Sequence, residues 1–195
     1  MKGLSRPNLH LALVHYPVTN KNGDVIASAV TNLDLHDIAR AARTYGVKSF
    51  YVVTPLEDQI ALVGQLVSHW VSGPGSAYNP KRRQALELIR IKKNLEEVIS
   101  EISALPESTG APRTIVTSAV IKRPVVPFSD LRRMFGDGFP YLLVFGTAWG
   151  LAEAMITSAD LALEPIRGAT RYNHLSVRSA AAVILDRLLG RRDMA

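Results

Sequence analysis

The chain of 195 residues contains no cysteine, which excludes disulfide bonds and thiolate metal sites. Its five histidines show no zinc-binding spacing, and we expect no metal site. No stretch approaches the roughly 18 consecutive apolar residues that cross a membrane, and the N-terminus lacks the pattern of a secretory signal peptide. We therefore expect a cytoplasmic protein that has no contact with a membrane.

Several common catalytic motifs are missing as well. The sequence has no phosphate-binding loop with a Lys-Ser/Thr pair, no G-x-G-x-x-G spacing and no G-x-S-x-G nucleophile turn. Trp70, Tyr78 and Trp149 are expected to anchor the core or loops rather than to stack on nucleobases. These absences argue against dinucleotide-dependent enzymes, P-loop enzymes and serine hydrolases.

Positive charge, in contrast, is in excess, with a formal net charge of +6. Much of it occurs in clusters: Lys81, Arg82, Arg83, Arg90, Lys92 and Lys93, then Lys122 and Arg123, Arg132 and Arg133, and Arg187, Arg191 and Arg192. Clustered basic residues are typical of nucleic-acid-binding proteins. Solvated helix faces give the same pattern, so charge alone leaves both interpretations open.

The hydrophobic periodicity predicts strands that alternate with helices. Strand patterns cover residues 9–16, 47–54, 113–119, 141–145 and 161–163, and helical patterns cover 32–46, 57–71, 81–104, 128–135, 151–156 and the stretch from 177 onwards. Such alternation is typical of an α/β fold, in which a mostly parallel sheet carries helices on both faces. We find no repeat and no linker, so we predict a single domain over residues 1–195.

Three segments carry residues suited to ligand binding. In residues 142–151 a buried strand runs into a turn from Gly146 to Gly150, the place where α/β sheets hold ligands, although a plain strand-to-helix turn fits equally. The polar residues 171–176 precede the last helix, where they could bind a ligand or merely cap the helix. The helix from Asn32 places His36, Arg40 and Arg43 on one polar face, which could grip a phosphate or simply face solvent.

Taken in order, these segments resemble the SPOUT superfamily of S-adenosylmethionine-dependent RNA methyltransferases, whose chains form a trefoil knot. Residues 32–46, with Arg40, are similar to the first motif of the family, and residues 143–151 to the second. Ile166 with residues 175–182 is similar to the third. The resemblance spans most of the chain but is weak between residues 63 and 112.

The resemblance implies a deep C-terminal trefoil knot and a homodimer with the active site near the subunit interface. It also implies S-adenosylmethionine as cofactor, with S-adenosylhomocysteine as product. The implied cofactor-binding residues are Leu143, Phe145, Gly146, Thr147, Gly150, Ile166, Tyr172, Asn173, His174, Leu175 and Ser176. The implied catalytic residues are Arg40, acting in its own subunit or in the partner, together with Asn32 and His36.

The implied function is methyl transfer to a ribose 2′-hydroxyl or a base nitrogen of tRNA or rRNA. Ala148 stands where the ribose-methylating branch usually has glutamate, and Ser176 and Arg178 also depart from its pattern. Base methylation therefore stays open, with Asp34, Asp37, Glu153 or His174 as proton acceptor. Residues 81–93, with Arg40 and Arg43, are expected to hold RNA phosphates. The alternative is a non-catalytic RNA-binding or assembly protein that retains the knotted fold.

Overall fold

The computed structural model describes residues 7–191, so Arg192 and the N-terminal stretch searched for a signal peptide lie outside the described residues. The strands, in chain order, are β1 (Leu9–Val14), β2 (Val18–Thr19), β3 (Val25–Ile26), β4 (Ser49–Val53), β5 (Ile89–Lys92), β6 (Arg113–Val116), β7 (Tyr141–Gly146) and β8 (Leu161–Ala162). The helices are α1 (Asn32–Thr44), α2 (Glu57–Val71), α3 (Pro74–Tyr78), α4 (Pro80–Leu86), α5 (Leu95–Ser103), α6 (Phe128–Met134), α7 (Glu153–Ser158) and α8 (Val177–Leu189).

Six of these strands form one sheet in the order β5-β4-β1-β7-β6-β8, and every pairing within it is parallel. The short strands β2 and β3 form a separate antiparallel hairpin, whose turn contains the Asn22-Gly23 pair. The prediction of an α/β fold with a mostly parallel sheet is confirmed.

The two faces of the sheet bury different residues of each strand, because side chains alternate along a strand. In β1, Leu9, Leu11 and Leu13 pack into a core that also contains residues of α1, α4, α6 and α8. Ala12 and Val14 pack into a second core on the opposite face, with residues of α5 and the α7 region. Helices therefore cover both faces, as the alternating pattern predicted.

Helix α1 begins and ends where its sequence signals predict. The Thr31 hydroxyl accepts a hydrogen bond from the Asp34 N–H (3.3 Å) and caps the first turn. Gly46, just beyond the last turn, has a φ of +76°, a conformation that glycine adopts without strain. Helix α2 has the predicted bounds. No helix within residues 7–191 is both long and apolar enough to cross a membrane.

The long helix predicted over residues 81–104 is wrong, because α4, β5 and α5 occupy that stretch. Ile89 and Ile91 alternate with Arg90 and Lys92, and this alternation suits an edge strand whose isoleucines face the core. The Asn94 side chain then accepts a hydrogen bond from the Glu97 N–H (2.8 Å) and starts a new helix. The helical periodicity of this stretch comes from two short helices, α4 and α5, and the β-branched Ile89 and Ile91 between them form the strand.

The start of α6 is held by a contact that is distant in the sequence. The Ser129 hydroxyl donates to the neighbouring Asp130 carboxylate and does not cap the helix. The Phe128 N–H is satisfied from a distant part of the chain, by the Glu164 carboxylate at 2.6 Å. This bond ties the segment after β8 to the start of α6.

Candidate functional site

The carboxyl ends of β1 and β7 meet at the centre of the sheet, where Val14 pairs with Gly146. From β1 the sheet extends through β4 to β5, and from β7 it extends through β6 to β8. Central parallel strands whose neighbours lie on opposite sides open a crevice at which α/β proteins bind ligands. A cleft of about 1020 Å³ lies at this point. Its volume is at the upper end of the range for cofactor sites.

The turn after β7 forms one wall of the cleft and depends on its glycines. A Cβ on Gly146 would lie 2.5 Å from the Leu151 nitrogen, so the turn closes tightly on itself only because no side chain is present there. Gly150 has a φ of +115°, and Ala148 adopts a φ of +51°, which is unusual for a residue with a side chain. Strained backbone of this kind is common at functional sites. The turn therefore has a single, closely packed conformation.

A chain of hydroxyl groups joins this turn to the segment before α1. The Thr147 hydroxyl donates to the Val14 carbonyl (3.0 Å), and the Ser28 hydroxyl lies 2.5 Å from the Thr147 hydroxyl. Because the single hydroxyl hydrogen of Thr147 is used, Ser28 is the donor to Thr147. His15 Nδ1 lies 3.1 Å from the Ser28 oxygen and must donate to it. Ser28 and Thr147 both line the cleft, and within it their remaining capacity is as acceptors.

His15 is fully buried behind this hydroxyl chain. Burial lowers its pKa to about 4, against the opposing effect of the nearby Asp34 carboxylate. Its Nε2 atom finds no hydrogen-bond partner among the described residues. The imidazole is therefore neutral at pH 7, and the direction of the hydroxyl chain places its proton on Nδ1.

The opposite wall comes from the segment between β8 and α8 and from the residues that follow β6. The Asn173 amide donates to the Ala119 carbonyl (3.0 Å), which joins these two segments. The Ser176 hydroxyl accepts from the Ser179 N–H (3.4 Å) and caps α8. Capping, which was the alternative for Ser176, is thus compatible with its position in the cleft.

Charged groups at the cleft come from α1, α8 and the segment after β8. The Asp34 carboxylate is 7% exposed, accepts from the Thr31 hydroxyl (2.6 Å) and pairs with Arg178 (3.2 Å). Glu164 is the other carboxylate, and Arg178 is the sole Lys or Arg among the described lining residues. Counting Asp, Glu, Lys and Arg side chains, the lining carries one more negative charge than positive. Such a lining favours a cationic ligand over a phosphate.

The structure brings together most of the residues that the resemblance implied for the cofactor. Those that line the cleft are Phe145, Gly146, Thr147, Gly150, Ile166, Asn173, His174, Leu175 and Ser176. Leu143 is not among them, because it is fully buried in the core beneath the turn. Tyr172 is 74% exposed and packs its ring against His174 outside the cleft lining.

The three implied catalytic residues lie outside the lining of the chain's own cleft. Asn32 is exposed beside the cap of α1, and Arg40 is exposed further along the helix. His36 is half-buried with its ring against Trp70 at 5.6 Å, and burial followed by the nearby Arg82 lowers its pKa. A catalytic role for these residues therefore requires that the RNA or a second subunit contacts α1.

Several lining residues were not identified from the sequence: Ser28, Thr31, Glu164, Pro165 and residues 117–120. Residues 117–119 were predicted as the end of a strand, which the structure ends at Val116. The others lie in connections without hydrophobic periodicity, and among them only the Thr31-x-x-Asp34 capping pattern gave a local signal. The expectation that Trp149 and Tyr78 anchor the core or loops was also wrong, since they are 70% and 86% exposed. Within residues 7–191, no group of three or more metal-ligating side chains lies together.

The knot, the homodimer and the single domain over the whole chain stay predictions at this stage.

The family model for SAM-dependent RNA methyltransferases matches residues 8–190. The chain is 45% identical over 183 residues to the tRNA (guanine-N(1)-)-methyltransferase of Oleidesulfovibrio alaskensis, covering 94% of this chain and 42% of that protein. The protein of the same name from Nitratidesulfovibrio vulgaris is 47% identical over 195 residues, with 97% and 45% covered. The chain thus spans less than half the length of these two relatives. An uncharacterised protein of Aquifex aeolicus is 39% identical over 185 residues, with 94% of this chain and 89% of that protein covered.

Solved structures share the fold at low sequence identity. A putative methylase family protein from Neisseria gonorrhoeae has a TM-score of 0.61 at 17% identity, covering 97% of this chain and 84% of that chain. The SpoU methyltransferase AviRb from Streptomyces viridochromogenes, solved in complex with AdoMet, has a TM-score of 0.56 at 19% identity, covering 95% and 58%. The fold is therefore the SPOUT methyltransferase fold that the motifs predicted. With a family model matched over residues 8–190, the chain belongs to the SAM-dependent RNA methyltransferase family.

Proposed function

We propose that this chain transfers a methyl group from S-adenosylmethionine to RNA, with tRNA as the first substrate class to test. The observation that carries the proposal is the single cleft formed by the glycine turn after β7 and the segment that enters α8. These segments are separated in the chain by α7 and β8, and together they enclose a volume suited to a nucleoside cofactor.

The residues of the cleft fit a cationic methyl donor. The open space beside Gly150, where a Cβ would meet nothing within 4 Å, leaves room for a ligand to approach the backbone, and backbone groups can read an adenine edge. Ser28 and Thr147 offer acceptor oxygens, and Asp34 and Glu164 offset the charge of a cation. When bound, S-adenosylmethionine supplies an electrophilic methyl group on its sulfonium. The residues Phe145 to Gly150, Ile166 and Asn173 to Ser176 would hold it.

The work of the protein in this reaction is to position the acceptor and to remove its proton. We propose a base nitrogen or a ribose 2′-hydroxyl as acceptor. Of the four candidate proton acceptors, Asp34 and His174 line the cleft, whereas Asp37 and Glu153 do not. Asp34→Asn and His174→Gln separate these two. The variant that loses methyl transfer at saturating S-adenosylmethionine identifies the base, and full transfer in both variants would exclude both residues.

We further propose that Arg40 acts in the cleft of a partner subunit. It is exposed on α1 and outside the lining of its own cleft. Near the cleft mouth, Val120, Trp149 and Leu175 are 70%, 70% and 48% exposed, an apolar surface typical of an interface. Mixed dimers test this. Arg40→Ala and Gly146→Val, each inactive alone, should regain activity when combined, because one cleft of the mixed dimer has both parts. Activity that stays absent in the mixture would place Arg40 in its own subunit.

The direct test of the proposed function uses this chain alone. The two longer relatives, which are named as tRNA (guanine-N(1)-)-methyltransferases, also contain a part that this chain does not cover. Calorimetry should detect S-adenosylmethionine binding, and radiolabelled methyl groups should enter an unmodified tRNA transcript, with nuclease mapping of the nucleotide. Binding of RNA without binding of S-adenosylmethionine would instead favour the non-catalytic RNA-binding alternative.

A further inference from the structure

The basic clusters of the sequence differ in how far the structure neutralises them. Lys92 and Lys93 pair with Glu101 and Glu57, at 2.5 and 2.6 Å, and Arg83 pairs with Glu87 at 2.9 Å. Arg90 donates to the Glu87 and Ile89 carbonyls instead (2.8 and 2.9 Å). Most of the cationic side chains in residues 83–93 are therefore engaged within the protein.

Other clusters are engaged in the same way. Arg123 donates to the Ile156 and Ala159 carbonyls (2.7 and 2.9 Å) at the C-terminal end of α7. Arg132 donates to the Gly190 carbonyl (2.9 Å) at the end of α8, and Arg133 pairs with Asp130 (2.8 Å). These arginines have structural partners, so sequence clustering overstates the positive charge that a ligand meets.

A different group of cations remains without a described partner carboxylate, on the outer side of the packed helices α1 and α4. Arg40, Arg43 and Lys81 are exposed, and Arg82 is half-exposed. None of the four forms an ion pair with a carboxylate of residues 7–191. We call these four residues the α1–α4 surface.

The members of this surface lie close to one another. Arg40 and Arg43 are neighbours on α1 at a spacing of three residues. Helix α4 packs against α1, and Arg82 of α4 and His36 of α1 lie against the same Trp70 ring. Arg82 stacks over the Trp70 ring at 4.4 Å, with the rings of His36 and His69 against the edges of that indole. A guanidinium that stacks on an aromatic ring is already ordered, so it loses little further conformational entropy when it binds an anion.

The surface and the cleft lie on different sides of α1. Asp34 lines the cleft, and Arg40 follows six residues later, about 9 Å along the helix at 1.5 Å per residue. Arg43 is nine residues from Asp34, about two and a half turns at 3.6 residues per turn, so it faces away from the chain's own cleft. An RNA bound to this surface would therefore extend toward the cleft of the partner subunit, in which we propose that Arg40 acts.

We propose that the α1–α4 surface is the docking site for the phosphate backbone of the RNA substrate, and that the basic residues 92 and 93 take no part. The proposal rests on the proposed function, because the occupant is the RNA to be methylated. It narrows the sequence expectation, which included all of residues 81–93, to the cations that the structure leaves accessible.

The test compares two double variants that change the net charge equally. Arg43→Ala/Lys81→Ala removes two cations of the surface, neither of which makes a described side-chain hydrogen bond. Lys48→Ala/Lys93→Ala removes two exposed lysines that pair with Glu107 and Glu57. The dissociation constant for an unmodified tRNA transcript is measured by fluorescence anisotropy over a range of salt concentrations. Calorimetry with S-adenosylmethionine checks that each variant keeps its cleft.

Each phosphate contact contributes about 0.7–0.9 to the slope of log affinity against log salt. The surface variant should therefore lose about 1.4–1.8 of this slope, while the control variant keeps the wild-type slope. Equal losses in both variants would mean that only net charge matters, and no loss in the surface variant would move the RNA elsewhere. Either result overturns the proposal while the proposed function stands.

Two further arms make the alternatives explicit. Arg167→Ala/Arg171→Ala tests the segment before α8; a slope lost there and kept in the surface variant would place the RNA on that segment. Phosphatidylserine vesicles that displace the tRNA as effectively as unlabelled tRNA would show a general polyanion surface, which also contradicts the proposal. If the wild-type chain binds no tRNA at any salt concentration, the proposed function fails as well.

Discussion

Acidification from pH 7 to pH 5 should destabilise the protein through two buried histidines. His10 and His15 are 1% and 0% exposed, and burial lowers the pKa of each from 6.5 to about 4. The folded protein therefore keeps both rings neutral, whereas the unfolded chain binds protons below about pH 6.5. This contribution to stability is fully present above pH 6.5 and is lost as the pH falls toward 4.

The magnitude follows from the pKa difference. At pH 5 an unfolded histidine is almost fully protonated and a folded one is mostly neutral, so each costs about 2 kcal/mol at 1.36 kcal/mol per pH unit. The two together cost about 4 kcal/mol, against a typical free energy of unfolding of about 5–15 kcal/mol. The carboxylates with lowered pKa values, Glu101, Glu107 and Asp137, contribute mainly below pH 4.5, and so the window from pH 7 to pH 5 reports chiefly on histidine.

Urea unfolding of the wild type, His10→Gln and His15→Gln at both pH values measures these terms separately. Each variant should lose about 2 kcal/mol less than the wild type on acidification, because glutamine can donate a hydrogen bond but does not titrate. Any destabilisation common to both pH values cancels in this comparison, and so does the same-sign contribution of His36, whose pKa is also lowered. A His15→Gln protein as acid-sensitive as the wild type would refute the assignment of a neutral, buried His15.

Two other predictions test the cleft and the corrected middle of the chain. Gly146→Ala places a Cβ 2.5 Å from the Leu151 nitrogen and 2.9 Å from the Gly150 carbonyl carbon. We therefore expect the free energy of unfolding to fall by about 1–3 kcal/mol and the affinity for S-adenosylmethionine, measured by calorimetry, to fall at least about tenfold. Gly168→Ala, where a Cβ meets nothing within 4 Å, is the control, and equal losses in both variants would contradict the role of the tight turn. Asn94→Ala removes the hydrogen bond that starts α5 and should cost about 1 kcal/mol in urea unfolding, whereas an unchanged midpoint would argue against a helix start at this residue.

The sequence was sufficient to predict the order of most elements, because their signals are local. Helix α2 had its bounds predicted correctly, and α1 was found from its cap, its apolar spacing and Gly46. The prediction for residues 81–104 was wrong because the helical periodicity, averaged over the whole stretch, concealed the four residues of the edge strand β5. Ile89 and Ile91 indicate a strand only when their alternation with Arg90 and Lys92 is weighed against that average.

The candidate site was predictable in its segments but not in its polar contacts. The residues of the turn after β7 and of the loop before α8 were recognised by a resemblance to motifs, and nine of them line the cleft. Ser28 and Glu164 were missed because they lie in connections without periodicity. Leu143 was included because it belongs to the motif, although its position within a central strand buries it completely.

The contacts that give the cleft its chemistry join residues that are distant in the sequence. Ser28 meets Thr147 across 119 residues, and Asp34 meets Arg178 across 144. Such pairs form only when β1, β7, α1 and α8 are assembled, so the acceptor oxygens and carboxylates of the cleft are a property of the complete fold rather than of any motif. The same assembly leaves Arg40 and Arg43 exposed while it engages Lys92 and Lys93. Asp34 at the cleft and Arg43 at the α1–α4 surface therefore lie on opposite sides of one helix, α1, and the composition alone leaves undetermined which of the two is engaged in an ion pair.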